Sequence, residues 1–367
     1  MRVLFHHTAP DWSGRARAFV EGARLLVEQG VKVVFTCRPD SVVEHLLSNL
    51  PEVTVVPVEE GGGWLDESGR VRRVLSEHFS EVAIVHTGRE HLVVAAALRR
   101  AERGAVLRRV GVGANAAGGQ AERTAAFLTP SGFLLSSEED RQVVHLPRRP
   151  LAPVVAPLGV DVESHAAVHP APHAALGVPT GDRLLVCVTE AGSRASVATV
   201  LRAVALLAER HRGLRLVLVG PGSDHEDLRM HAAALGITGI VGFLGEREDR
   251  LAVLRAADVG WVVADQDDAA YAFLDFMALG VPVVAERAAL AARYMADGIT
   301  GSMLPPSDAP AAAAALAALL SDDEARITMG RAASARAARE FPLERTAEGL
   351  MTAVTNARDR SKWRRAR

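Results

Sequence analysis

The stretch 267-DDAAYAFLDFMALGVPVVAERAALAARYMADGITGSMLPPSD-308 decides how this chain folds. It joins a short helix, a buried strand and a Gly-closed turn in fixed order. The helix carries Asp275 and Met277 and ends at Gly280. The apolar run Pro282–Ala285 then reads as a strand covered on both faces, and Asp297, Gly298, Thr300 and Gly301 close the turn that follows. A helix feeding a continuous apolar strand is the repeating unit of an α/β protein with a parallel sheet.

The same alternation runs outward to both ends. From the amino terminus come RVLFHH, FVEGARLLVEQG, VKVVFTC, SVVEHLLSNL, VTVVPVE, RVRRVLSEHF and VAIVH, then HLVVAAALRRAE, AVLRRVGVG, FLLSSEEDRQVV and PVVAPLGVD. A stretch rich in Pro, Ala and His, from His165 to Asp182, interrupts the pattern and reads as a connection. Beyond it the pattern restarts with RLLVCVTE, LRLVLVGPG, IVGFLG and VGWVVA, each followed by a helix. Ala-rich helices then run through Phe341, and a last helix starts near Leu343. Two doubly wound domains are expected: residues 1–165, residues 166–342, and a closing helix and basic tail over 343–367.

Composition narrows the field. A chain of 367 residues can bury two cores of ordinary size. A net charge of -2 gives no pull toward nucleic acid. Cys37 and Cys187 end or sit within apolar runs, as buried thiols do, and give no disulfide or metal pattern. The start MRVLFHHTA lacks the layout of a signal peptide and no apolar stretch is long enough to cross a bilayer, so a cytoplasmic protein is expected. The basic end SKWRRAR reads either as a solvated tail or as a weak peripheral membrane contact with Trp363 as anchor.

The opening stretch resembles the nucleotide-sugar half-site of family 4 retaining glycosyltransferases, the glycosyl transferases of group 1. In that family an acidic residue is followed by a Gly-rich helix start, a second acidic residue eight positions on, A-M-A-x-G-x-P-V-V-A, and later D-G-x-T-G. Asp267 and Asp275 hold that spacing, and the rest of the pattern follows from Met277 to Gly301. The junction PLGVD (157–161), the run LVLVGPG ending beyond Gly220, the pair VGFLG and LRAADVGWVVA, and the tail DDEARITMGRAASARAAREFPLERTAEGL are similar to further parts of the family pattern, and the resemblance implies that the last helix, in 343–367, crosses back to the first domain. The resemblance implies the GT-B architecture: two Rossmann-like domains facing a cleft. Fold by itself does not give function, since epimerases and phosphorylases share that architecture.

What the resemblance implies about the site is specific. Asp275 would bind the nucleotide's ribose hydroxyls. Asp267 would hold the donor sugar, although Asp267 or Asp268 could equally cap the following helix. The glycines that let backbone amides reach a diphosphate are replaced by Ala269 and Ala270, and the family's basic pair by Glu190 and Ala195. Arg194 and Arg293 are the cations left to offset the diphosphate, beside Gly220. On the first domain His86 ends the strand VAIVH, near where the sugar reacts. Gly14 and Arg15 lie in the first loop, where Arg15 either approaches an anionic acceptor or donor phosphate or belongs to a solvated basic helix face, and Arg108 and Arg109 before GVGANAAGG are placed toward an acceptor. Ser136 and Ser137 read as helix caps. No metal or other cofactor is implied. The expected activity is transfer of a sugar from a nucleotide-diphosphate donor to an acceptor hydroxyl with retention of configuration. That acceptor would be a glycan, a lipid-linked molecule or a small molecule. The alternative is a catalytically silent GT-B protein acting as partner or scaffold of an active transferase.

Overall fold

The computed structural model of the chain describes residues 1–9, 12–59, 61–111, 119–142, 144, 150–189, 194–263 and 269–363, with the side chains at 194, 195, 362 and 363 outside that description. The described residues divide into two compact units. Unit 1 is Met1–Leu158 together with Glu344–Arg367, and unit 2 is Gly159–Leu343. Residues 159–165 belong to unit 2 for a local reason: the Val160 amide donates to the Phe341 carbonyl at 2.9 Å, and Asp161 caps the helix that follows.

Unit 1 alternates β1 (Arg2–His6), α1 (Gly14–Glu28), β2 (Lys32–Cys37), α2 (Val42–Ser48), β3 (Val53–Pro57), α3 (Trp64–Glu77), β4 (Val82–Val85), α4 (Gly88–Arg100), β5 (Ala105–Val110), α5 (Gln120–Leu128), β6 (Ser131–Leu135) and β7 (Val154–Val155). The strands form one parallel sheet in the order β3-β2-β1-β4-β5-β6-β7. Its order reverses between β1 and β4, and the crevice at that switch point lies at the carboxyl ends of the strands.

Side chains along each strand alternate between the two faces. Leu4, Ala83, Val85 and Val106 pack with α3, α4 and α5. Phe5 turns the other way, edge-on to Phe19 of α1 with ring centroids 5.7 Å apart.

Unit 2 comprises α6 (Val162–Ala166), β8 (Arg183–Thr189), α7 (Arg194–Ala208), β9 (Leu214–Val219), α8 (Glu226–Ala234), β10 (Val241–Phe243), α9 (Arg250–Arg255), β11 (Val259–Val263), α10 (Ala270–Ala278), β12 (Val283–Glu286), α11 (Ala289–Tyr294), β13 (Gly301–Leu304), α12 (Ala309–Ser321) and α13 (Asp323–Glu340). Its parallel sheet has the order β10-β9-β8-β11-β12-β13 and switches between β8 and β11. The loops that leave those two strands, 190–193 and 264–268, lie outside the described residues. Helix α10 is buried along its whole length and closes onto β11 through Phe276. A Cβ added at Gly260 would stand 2.8 Å from that ring, so the absence of a side chain there sets the helix-to-strand distance.

The last helix, α14 (Leu343–Trp363), belongs to unit 1 from Glu344 onward. Its Thr346 hydroxyl donates to the Pro157 carbonyl at 2.8 Å. Leu350 sits over Gly22 of α1 and Phe5 of β1. Gly349 lies so close to the β7 end that a Cβ would come within 2.4 Å of the Val155 carbonyl.

Candidate functional site

At the switch point of unit 1 the sequence expectation centred on His86, and the pairing of strands shows what surrounds it. Phe5 pairs with Ile84 across β1 and β4, and Val85 pairs with Arg108 across β4 and β5. One and two steps further along, His7, His86 and Arg109 therefore stand in one row across three adjacent strands, on the face that α1 covers. Phe19 confirms the face, with its ring centroid 5.3 Å from His7 and 6.3 Å from His86. Burial, and then the charges of Arg15, Arg109, His7 and Arg108, hold the His86 imidazole well below its ordinary 6.5, so it is neutral at neutral pH.

Gly14 is the buried first residue of α1, which Ser13 caps by accepting from the Ala16 amide at 3.3 Å. Arg15 follows it and acts on His86 through its charge. Arg108 departs from its expected role. It projects to the opposite face, where its Nε donates to the His86 carbonyl at 2.8 Å and its Nη1 pairs with Glu122 of α5. These bonds fix the end of β4 and leave Arg109 as the arginine of that pair on the His86 face. Glu90 of α4 completes the frame by accepting from the His86 and Thr87 amides at 2.9 and 2.7 Å. The Ser136 hydroxyl donates to the Val110 carbonyl at 3.1 Å. The segment 112–118 of GVGANAAGG lies outside the described residues.

In unit 2, Gly220 ends β9 at φ +115°, and its amide donates to the Gly245 carbonyl at 2.9 Å. A Cβ there would meet the Thr189 carbonyl at 2.0 Å, so only glycine lets β8 and β9 end this close together. Asp275 is fully buried, and its Oδ1 lies 3.0 Å from His165 Nε2. Oδ2 lies 4.0 Å from Arg250 Nη2, at the start of α9. The sequence reading missed both partners. His165 fell in the stretch taken as a connection, 110 residues from Asp275, and no local pattern marks such a pair.

Arg293 lies in the last turn of α11, half-buried, and its carbonyl accepts from Arg336 Nη2 at 3.3 Å. Arg194 opens α7. Asp267 and Glu190 lie outside the described residues. The tail of the opening stretch has a structural job. Asp297 accepts from the Met303 amide and from Arg287, each at 2.8 Å, and Thr300 Oγ1 accepts from the Ala296 amide at 2.8 Å. Both polar side chains are spent in closing the turn before β13.

These features invite comparison with known proteins. Residues 170–336 match the glycosyl transferases group 1 family. That domain covers unit 2 from before β8 into α13. The D-inositol 3-phosphate glycosyltransferase of Corynebacterium efficiens is 34% identical over 190 residues, covering 50% of this chain and 45% of the relative. The chain thus spans less than half the length of the curated relatives it matches.

Among solved structures, a glycosyltransferase from Rickettsia africae superimposes with a TM-score of 0.81 at 14% identity, over 97% of this chain and 98% of that one. The Anabaena HepE protein, solved in complex with UDP and glucose, gives a TM-score of 0.76 at 18% identity over 97% and 99%. At such identities the likeness establishes the fold, two Rossmann-like α/β domains as in GT-B glycosyltransferases.

No group of His, Cys, Asp and Glu that could hold a metal ion occurs among the described residues, and no described helix is long and apolar enough to cross a membrane. Burial pushes the Cys37 thiol up to about 11 and raises Cys187 further, which leaves both unreactive at neutral pH.

Proposed function

We propose that the chain is a glycosyltransferase that binds a nucleotide-diphosphate sugar on unit 2 and transfers the sugar to an acceptor hydroxyl with retention of configuration, in the cytoplasm. The observation that carries this reading is the group 1 match over residues 170–336, the part of the chain that contains Gly220, Asp275 and Arg293. On this reading the donor diphosphate lies beside Gly220. Arg194 and Arg293 supply the positive charge that the family's basic pair would supply, and Asp267 meets the donor sugar. On the same reading Asp275 is the group that meets the ribose hydroxyls. His86, neutral and at the end of β4, hydrogen-bonds a sugar hydroxyl or the departing phosphate. No metal is required: arginines and helix amides take charge off the leaving diphosphate.

Calorimetric titration with UDP, GDP and ADP tests the reading. One of them should bind, and Arg194→Ala with Arg293→Ala should weaken it roughly tenfold or more, as the loss of charge-assisted hydrogen bonds does. An unchanged affinity in the double variant would remove both arginines from the donor site.

One observation favours a second reading, a silent relative that partners an active transferase. Asp275 has no exposed surface and is bonded internally to His165. Failure of all three nucleotides to bind folded protein would overturn the first reading and favour this one.

A further inference from the structure

Unit 1 buries a cation that nothing among its described residues neutralises. Arg109 is 6% exposed, and its Nη2 has no hydrogen-bond partner. Its neighbour Arg108 shows what a satisfied arginine looks like here, paired with Glu122 and bonded to the His86 carbonyl. Removing a guanidinium from water without a counter-charge is costly, and a chain that retains one on β5, the strand next to the switch point, needs an anion from elsewhere.

The surroundings fit such an anion. His86 stands beside Arg109 in the row across β4 and β5, and His7 stands one strand further, so the row spans roughly 10 Å at about 4.8 Å per strand. The three buried carboxylates among the described residues of unit 1 are engaged elsewhere. Glu90 accepts the His86 and Thr87 amides, Glu122 takes Arg108, and Glu67 takes Arg89 at 2.8 Å. His86 Nδ1 is buried without a partner. A neutral imidazole can donate one hydrogen bond to an oxyanion, and a guanidinium offers the fork geometry that phosphate oxygens match.

We propose that Arg109 anchors a phosphate monoester carried by the acceptor, with His86 and His7 flanking it in the same row. That the phosphate belongs to an acceptor rests on the transferase reading, whereas the anion site itself does not. An anion here would also cancel the repulsion that Arg15, Arg109 and His7 exert on a protonated His86, so its imidazole would take up a proton more easily when the site is filled.

The test is run on the full chain with a saturating amount of whichever of UDP, GDP and ADP binds it, so that the donor site proposed on unit 2 is filled, and that nucleotide's affinity is measured in the same samples. Binding of glycerol 3-phosphate and of inorganic phosphate is followed by calorimetry. Binding to phosphatidylcholine vesicles with and without phosphatidic acid is followed by co-sedimentation. The first arm reads a soluble phosphate monoester, the second one at a lipid surface. Arg109→Gln is expected to weaken whichever arm binds by about tenfold or more, the loss of one charged hydrogen-bond donor. Arg109→Lys, which keeps the charge without the fork, should fall between. The His86 ring signals in NMR should titrate at higher pH when the ligand is bound. Absence of binding in both arms, or equal binding by wild type and Arg109→Gln with circular dichroism unchanged, overturns the proposal. Because the nucleotide's affinity is read separately, loss of the anion site and loss of the transferase reading give different results.

Discussion

At the scale of single residues, the pair His165 and Asp275 is the most consequential contact in unit 2. His165 Nδ1 lies 2.7 Å from the Asp161 carbonyl and Nε2 lies 3.0 Å from the Asp275 carboxyl, so both ring nitrogens face acceptors. A neutral imidazole carries one N–H and can donate to only one of these acceptors. Removing one partner strands the other in the core. His165→Ala is expected to destabilise unit 2 by about 3–5 kcal/mol, whereas replacing both with apolar residues of similar volume should restore most of the loss. Urea unfolding followed by the fluorescence of Trp261, the single tryptophan of unit 2, reads this directly. A second residue-scale prediction concerns pH. Burial and neighbouring cations lower His86 well below 6.5, and burial with Arg108 pushes His91 down to about 3. Below pH 6.5 the unfolded chain binds a proton at each position that the folded chain refuses. Stability therefore falls as pH drops below 6.5, by about 1.4 kcal/mol per pH unit for each histidine. His86→Asn should remove one share of that slope between pH 6.5 and 5. Sequence alone gave His86 its place because a strand end is local information. The roles of Arg108 and Arg109 were less legible, since telling them apart required knowing which face of the sheet each one takes.

At the scale of elements, the strands could be read from sequence because both faces of each sheet are covered, which writes unbroken apolar runs such as Leu184–Val188 and Leu216–Val219. Short helices could not. Five residues, Val162–Ala166, carry no helical period, so α6 went unread and its last two residues, His165 and Ala166, fell in the stretch taken as a connection. The start of α10 was equally hard to place, since Ala269 caps it without a side-chain bond. Packing of that helix gives a third prediction. Gly260→Ala sets a methyl against the Phe276 ring and should cost about 1–3 kcal/mol of unit 2 stability, as overpacking does. Adding Phe276→Leu should recover part of it, measured by the same unfolding experiment. If Gly260→Ala were neutral, α10 would have room to move away from β11.

At the scale of the whole molecule, two consecutive doubly wound units were legible in the alternation of strands and helices, and the family resemblance followed the signature of unit 2. The chain's return to unit 1 was legible only by resemblance, because nothing in an amphipathic helix says which core it covers. Leu350, Ala353, Val354 and Ala357 of α14 are buried, and Thr346 bonds to Pro157. Ending the chain at Leu343 should therefore expose the apolar surface of α1 and β1 around Gly22 and Phe5. Each buried Leu or Val lost is worth about 1.5–3 kcal/mol, enough together to make unit 1 aggregate or become protease-sensitive, while Trp261 keeps its buried emission. Limited proteolysis of the truncated chain checks this. The same arrangement sets an order of events on the ribosome. Unit 2 is one unbroken stretch, Gly159–Leu343, and can complete its core as soon as it emerges. Unit 1 must wait for all of those residues before its final helix is made, a delay of roughly 10–40 s at ordinary rates of synthesis. For that interval Phe5 and Gly22 are uncovered, and the half of the protein that is translated first is the half that finishes folding last.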